Sequence, residues 1–174
     1  MYRKNTFVFP FILFQSKYPH SIHFIFLFIC FLFTVSNLSA LSGVFAGLGL
    51  EGNANTREGI ALGGNLSGGV DLDNQFSLGL KMALSSNMDT VTTLEPAVFF
   101  RYYLPLKISG FFAQAELGTA IYIEDNKNYP AFLAGLVFGW HYNVGKNWYI
   151  EPSIRGGYPF AWGVGFLVGL HFDK

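Results

Sequence analysis

The chain has 174 residues, a length suited to one domain, and its basic and acidic residues balance to zero net charge at pH 7. Charged residues make up 13% of the chain and aromatic residues 18%, whereas charged residues contribute about 25% of an ordinary soluble domain. So few charges leave much of the surface unsuited to water, and the lack of a basic stripe argues against a nucleic-acid partner.

The first predicted element is a secretory signal peptide over residues 1–40. An apolar run from Ile22 to Val35 precedes small and polar residues at 36–40, as in the hydrophobic core and cleavage region of such peptides, so cleavage is expected after Ala40. The run is shorter than the roughly 20 residues of a membrane-spanning helix. Because 40 residues is long for a presequence, a downstream start codon and a retained anchor remain alternatives. Cleavage would remove Cys30, the single cysteine, and with it any disulfide or thiolate metal site.

Beyond residue 40, large apolar residues alternate with small or polar ones, a period typical of β-strands with two unlike faces. In the last segment, every second residue from Trp162 to Phe172 is large and apolar. The alternation predicts eight strands, which in chain order cover residues 43–53, 59–71, 76–84, 93–104, 110–123, 131–142, 148–157 and 161–172. Turn-forming residues separate the strands, and about 10 tilted residues are enough to cross a bilayer.

Two prolines interrupt the pattern. Pro96 and Pro152 fall inside predicted strands, each directly after a glutamate. Because proline cannot donate a ladder hydrogen bond and a closed barrel offers no edge strand, each proline is expected to mark a bulge or a strand end.

The composition of the two faces indicates which one points inward. The less apolar face of the second predicted strand carries only small residues from Ala61 to Gly69, which suit the narrow interior of an eight-stranded barrel. A water-facing surface would instead be rich in charged side chains. The sequence therefore predicts an all-β fold over residues 41–174, an eight-stranded antiparallel transmembrane β-barrel preceded by a signal peptide. A soluble barrel with its apolar face inward is the alternative.

Aromatic residues near the strand ends are expected to form two girdles, a feature of membrane barrels. One rim would carry Tyr102, Phe111, Trp140, Tyr142, Trp148 and Phe172, and the opposite rim Phe132, Tyr158, Phe160 and Trp162.

Charged and polar residues predicted on the inward face form the candidate site. They are Glu51, Lys81, Glu95, Arg101, Gln114, Glu116, Glu151 and Arg155. Charges in a narrow interior cost several kcal/mol each unless they are paired. Four acids facing three bases therefore favour a structural plug, while a polar conduit and a catalytic carboxylate pair remain alternatives.

No metal, cofactor or enzymatic activity is expected. His141 and His171 are predicted to face inward near one mouth, but they lie on the sixth and eighth strands, which are not neighbours. A metal site would need them to converge with a carboxylate such as Asp173. Neither a Ser-His-Asp arrangement nor a phosphate-binding glycine loop occurs in the sequence.

Three segments resemble small spirochaete outer-membrane barrel proteins: LEPAVFFRYYL at 94–104, WYIEP at 148–152 and GGYPFAWG at 156–163. More broadly, residues 43–172 resemble the eight-stranded superfamily of outer-membrane proteins A, X and W. That resemblance implies an outer-membrane location and a role as a structural anchor, an adhesin or a narrow conduit for small apolar molecules. The alternation ending at Phe172 resembles the C-terminal signal read by the barrel-assembly machinery. Outer-membrane lipids and that machinery are therefore the expected partners, and no surface ligand is indicated.

These observations predict an integral outer-membrane protein with a structural or envelope-interaction role and a largely plugged lumen. A narrow channel for small solutes or apolar molecules, a soluble periplasmic ligand-binding barrel and a lipid-modifying barrel enzyme remain alternatives. With both termini periplasmic, the connections at 54–58, 85–92, 124–130 and 158–160 are expected outside the cell, and the turns at 71–75, 105–109 and 143–147 in the periplasm.

Overall fold

The computed structural model describes residues 43–55, 59–104, 109–125 and 127–173, excluding the side chains of Asn55 and Asp173. The signal peptide and Cys30 lie outside the described residues and remain predictions. No helix among the described residues is long and apolar enough to cross a membrane.

Eight antiparallel strands close into one barrel, in which each strand pairs with its neighbours in sequence and β1 also pairs with β8. Closure gives nearly every strand residue a partner on both sides, which removes most exposed sheet edge. The predicted eight-stranded antiparallel barrel is thereby confirmed. The strands are β1 (Gly43–Asn55), β2 (Gly59–Asp71), β3 (Phe76–Ser86), β4 (Val91–Leu104), β5 (Gly110–Glu124), β6 (Lys127–Val144), β7 (Trp148–Tyr158) and β8 (Phe160–Asp173).

The strand β6 departs most from its predicted bounds. It begins at Lys127 rather than at residue 131, and it pairs with β5 from its first residue, so the loop predicted over 124–130 is wrong in length. On its other side, pairing with β7 begins only at Ala134. Residues 127–133 thus have a described strand neighbour on one side, and the β5–β6 hairpin extends beyond the end of β7. The connection predicted over 158–160 is also shorter, with Pro159 alone between β7 and β8.

Pro96 and Pro152 mark neither bulges nor strand ends, so that expectation was wrong. Each lies inside its strand and pairs on one side, Pro96 with β3 and Pro152 with β8. On the other side, the ladder lacks the pairs at Glu95–Pro96 and at Glu151–Pro152, yet the register is the same before and after each gap. Because proline has no N–H to donate, one ladder opens locally while the strand continues.

The alternating side chains of each strand point to opposite faces of the barrel wall. Along β4, Glu95, Phe99 and Arg101 are almost fully buried, whereas Val98 and Phe100 remain about half exposed. The polar face therefore lies inside and the apolar face outside. This is the orientation that the small residues predicted.

Inward-facing glycines make room for aromatic rings in the narrow interior. A Cβ added at Gly169 would collide with the ring of Tyr149, and one at Gly79 would collide with the ring of Phe99. A Cβ at Gly139 would meet Phe112 in the same way. The glycine-rich face is thus complementary to large lumen side chains on nearby strands, and together they fill the barrel.

Candidate functional site

One arginine joins carboxylates from three strands at the centre of the barrel. Arg155 Nη1 lies 2.9 Å from Glu95 Oε2 and 3.1 Å from Glu51 Oε1, and its Nη2 lies 3.2 Å from Glu116 Oε2. The ring of Phe160 covers the guanidinium at 3.6 Å from its centroid, a cation–π contact. All these side chains are buried. Arg155 therefore neutralises charge from β1, β4 and β5 in one place.

Lys81 supplies a second cation to two of the same carboxylates. Its Nζ lies 2.9 Å from Glu51 and 3.6 Å from Glu116. Glu51 also accepts hydrogen bonds from Asn53 at 2.9 Å and from Asn65 at 3.0 Å. Each oxygen of Glu51 thus has more than one partner, as a buried carboxylate requires.

A bidentate ion pair forms the other half of the network. Arg101 donates from Nη1 to Glu151 Oε1 at 2.6 Å and from Nη2 to Oε2 at 3.1 Å. Its Nε donates to Gln114 Oε1 at 2.8 Å, and Gln114 Nε2 donates to Glu116 at 2.8 Å. Gln114 therefore connects the Arg101 pair to the Arg155 cluster. The structure places all eight sequence-derived site residues in this one connected set, here called the lumen network.

The site residues predicted from the sequence left out several side chains that contact the lumen network. Asn53 and Asn65 bind Glu51, Tyr103 accepts from Arg101 at 3.1 Å, and His141 Nδ1 lies 2.6 Å from Glu151. Asn53 and Tyr103 each lie two residues from a charged lumen residue. The two-residue period would therefore have identified both as inward-facing partners.

Apolar layers lie on both sides of the lumen network. Toward the β7–β8 connection the layer consists of Val91, Ala97, Ala120, Tyr122, Leu133 and Phe160. Toward the opposite mouth two clusters consist of Phe45, Phe99, Tyr149 and Leu167, and of Tyr103, Phe112 and Val137. Charges held between such layers are shielded from water.

A small cavity of about 40 Å³ remains within the lumen network, bordered by Glu51, Lys81, Arg101 and Glu116 among others. At about 10–15 Å³ for each water centre, it has room for about three waters. A hydrated cation carries about six or more oxygens. The cavity is therefore too small for a cation that keeps its full shell of water.

The predicted girdle residues Phe111, Trp140, Tyr142, Trp148, Trp162 and Phe172 are exposed on the outer face, and Tyr102 is half-buried there. Phe111 and Trp140 contact edge-on with ring centroids 5.8 Å apart. Phe160 was wrongly predicted for the outer rim, since it lies inside against Arg155. The β1–β8 register shifts between Ala54 and Asn55, so Ala161 and Trp162 both face outward and Phe160 turns inward.

No family model and no curated protein matches this chain. The fold is similar to the N-terminal β-barrel domain of Pseudomonas aeruginosa OprF, at 19% identity and a TM-score of 0.51, covering 74% of this chain and 97% of that one. It is also similar to the outer membrane protein OprG from Pseudomonas aeruginosa, at 9% identity and a TM-score of 0.53, covering 77% of this chain and 98% of that one. Neisserial surface protein A gives 14% identity and a TM-score of 0.51, covering 76% and 96%. The chain therefore shares its fold, a closed eight-stranded antiparallel barrel, with these bacterial proteins.

Proposed function

We propose that this protein is an integral outer-membrane protein with a structural or envelope-interaction role, whose lumen is closed by the lumen network. One observation carries the proposal: the polarity of the barrel is inverted relative to a soluble protein. Ile60 and Leu50 are 76% and 72% exposed on the outside, while Glu116 is 1% exposed on the inside.

The exterior of the barrel gives the stronger support for a membrane location. Large exposed apolar side chains occur on all eight strands, from Val44 on β1 to Phe172 on β8. Soluble monomers rarely expose an apolar patch of more than a few hundred Å². A lipid bilayer favours this surface, and the closed barrel satisfies the backbone hydrogen bonds that a membrane requires. The barrels of similar fold support the same location, and outer-membrane lipids are the proposed partner.

Aromatic residues at one rim agree with a lipid–water boundary. Trp140 and Tyr142 on β6, Trp148 on β7 and Phe172 on β8 are all exposed near the ends of adjacent strands. Such rings favour the level of the lipid headgroups. The proposal includes recognition of β8 by the barrel-assembly machinery, on the alternation that ends at Phe172.

The interior argues for a plug rather than for catalysis or conduction. Each of the four network carboxylates lies within 3.2 Å of an arginine or lysine nitrogen. The carboxylates thus neutralise the cations of the lumen, and we propose no enzymatic role. The small lumen cavity is the one observation that favours a narrow channel as the second candidate.

Reconstitution of the full chain into planar lipid bilayers tests the proposal. We expect a folded species that migrates differently on gels before and after heating, and no discrete current steps. A matched variant with Arg101→Ser and Glu151→Ser removes one cation and one anion together. Current steps in this variant alone would show that the bulk of these two side chains closes the lumen. Discrete conductance of the unmodified chain would favour the channel. A fold that stays soluble without detergent or lipid would favour the periplasmic barrel.

A further inference from the structure

Two histidine side chains meet across the lumen, although their strands are not neighbours. His141 on β6 and His171 on β8 approach with their Nε2 atoms 3.4 Å apart and their ring centroids 5.2 Å apart. The expectation that their separate strands keep the two histidines apart was therefore wrong. An eight-stranded barrel is narrow enough for inward side chains of alternate strands to touch.

The second nitrogen of each ring faces a carboxylate. His141 Nδ1 lies 2.6 Å from Glu151 Oε1, and His171 Nδ1 lies 3.6 Å from Asp71 Oδ2. Glu151 is itself held by Arg101. Carboxylates behind histidines are the usual outer partners of metal-binding imidazoles, because they orient the ring and fix which nitrogen carries the proton. Here both carboxylates lie on the Nδ1 side, so both Nε2 atoms point to a shared space.

Neighbouring rings hold His141 in this orientation. The ring of Tyr149 stacks on His141 with centroids 4.5 Å apart, and Tyr103 contacts it edge-on at 5.6 Å. His141 is fully buried. The imidazole is therefore fixed by packing as well as by Glu151, which lowers the entropy cost of binding an ion.

The separation of the two Nε2 atoms matches a metal site. With metal–nitrogen bonds of 2.0–2.1 Å, two imidazoles in a tetrahedral zinc site lie about 3.3–3.4 Å apart. Asn143 Oδ1 lies 3.1 Å from His141 Nε2 and can supply a third donor. No group of three or more His, Cys, Asp or Glu side chains among the described residues is arranged to hold a metal. A fourth position on a tetrahedral ion would be open to water.

The paired histidines lie at the mouth formed by the last residues of β6 and β8. Asn143 is exposed there, and the side chain of His171 is 9% exposed to solvent. The backbone N–H of His171 donates to the carbonyl of Asn147 in the adjoining turn. The site therefore borders the solvent at this mouth through Asn143 and His171.

We propose that His141 and His171, with Asn143, bind a divalent transition-metal ion such as zinc or copper at this mouth. Imidazole donors suit zinc, copper and nickel, whereas calcium and magnesium prefer sets of oxygen donors. The site lies at one mouth and touches the lumen network at Glu151, so its test does not depend on whether the lumen conducts.

Copper(II) is the probe, since its electron paramagnetic resonance spectrum reports how many imidazole nitrogens are bound. The full chain, purified in detergent through a tag without histidine, should bind one equivalent with two imidazoles. The chain contains four histidines, and the other two are His20 and His23. Both lie in the predicted signal peptide, so a chain that keeps this segment needs His20→Gln with His23→Gln as its matched control. That double variant should leave both the copper affinity and the imidazole count unchanged.

Two variants separate metal binding from a structural role. His171→Gln should reduce the imidazole count to one and weaken copper binding at least tenfold. Asp71→Asn keeps both imidazoles but removes the carboxylate charge behind His171, and should weaken binding about 10–100-fold. Fewer than two imidazoles in the unmodified chain would overturn the proposal, as would unchanged copper binding in His171→Gln. If His171→Gln fails to fold, two measurements still test the proposal. They are the number of copper-bound imidazoles in the unmodified chain and the copper affinity of Asp71→Asn.

Discussion

Replacing Arg155 with methionine should strongly destabilise the barrel. Methionine keeps much of the aliphatic bulk but removes the charge shared by Glu51, Glu95 and Glu116. Removing one partner of a buried ion pair costs about 3–5 kcal/mol, because the remaining charge is left uncompensated. Glu51 and Glu116 retain Lys81, at 2.9 and 3.6 Å. The penalty should therefore fall mainly on Glu95, which has Arg155 as its ion-pair partner in the described structure.

A double-mutant cycle tests whether the loss of Arg155 acts mainly through Glu95. Adding Glu95→Gln to Arg155→Met should recover about 1–3 kcal/mol of the loss, within the range of coupling between contacting residues. Lys146→Met, at an exposed turn position, is the control and should cost less than about 1 kcal/mol. The assay is urea unfolding of the barrel in lipid vesicles, followed by tryptophan fluorescence. Equal free energies of unfolding for Arg155→Met and Lys146→Met would refute a buried network, and the lack of any recovery would refute the role assigned to Glu95.

Three further predictions concern the wall, the packing and the topology. Leu136→Arg places a charge on the lipid face and should cost roughly 2–4 kcal/mol in the same unfolding assay; a cost near zero would mean that this face does not contact lipid. Gly169→Val should prevent folding, as judged by heat-modifiable gel mobility, because its side chain collides with Tyr149, and Tyr149→Ala in the same chain should restore the folded band. An epitope tag at Met88 should be detected on intact cells and one at Gly145 only after permeabilisation; the reverse pattern would invert the topology.

Strand positions and their faces could be predicted because they depend on local sequence. The pleated backbone turns every second side chain to the same face, so alternation alone identifies both the strands and the inward residues. The first four residues of β6, from Lys127 to Pro130, were missed for a related reason. Asn and Pro are typical of loops, and only pairing with β5 draws this segment into the sheet.

Contacts across the lumen could not be predicted in the same way. The two-residue period places His141 and His171 on the inner face, but their separation depends on the barrel radius and on the rings of Tyr103 and Tyr149. Phe160 illustrates the same limit, because a single register shift against β1 reverses the face on which it lies. Such distances are properties of the closed barrel, and the sequence of a single strand does not indicate them.

The extension of β6 beyond β7 leaves a short stretch of sheet edge, which bears on strand pairing between copies of this protein. Among the described strands, residues 127–133 pair with β5 alone, and a sheet edge of this kind is a template on which a second chain can add a strand. Pro130 lies in the middle of this stretch and offers no N–H to an added strand, and Lys127 places a charge at its start. A proline that is typical of a loop in the sequence thus lies where it would oppose the addition of a further strand.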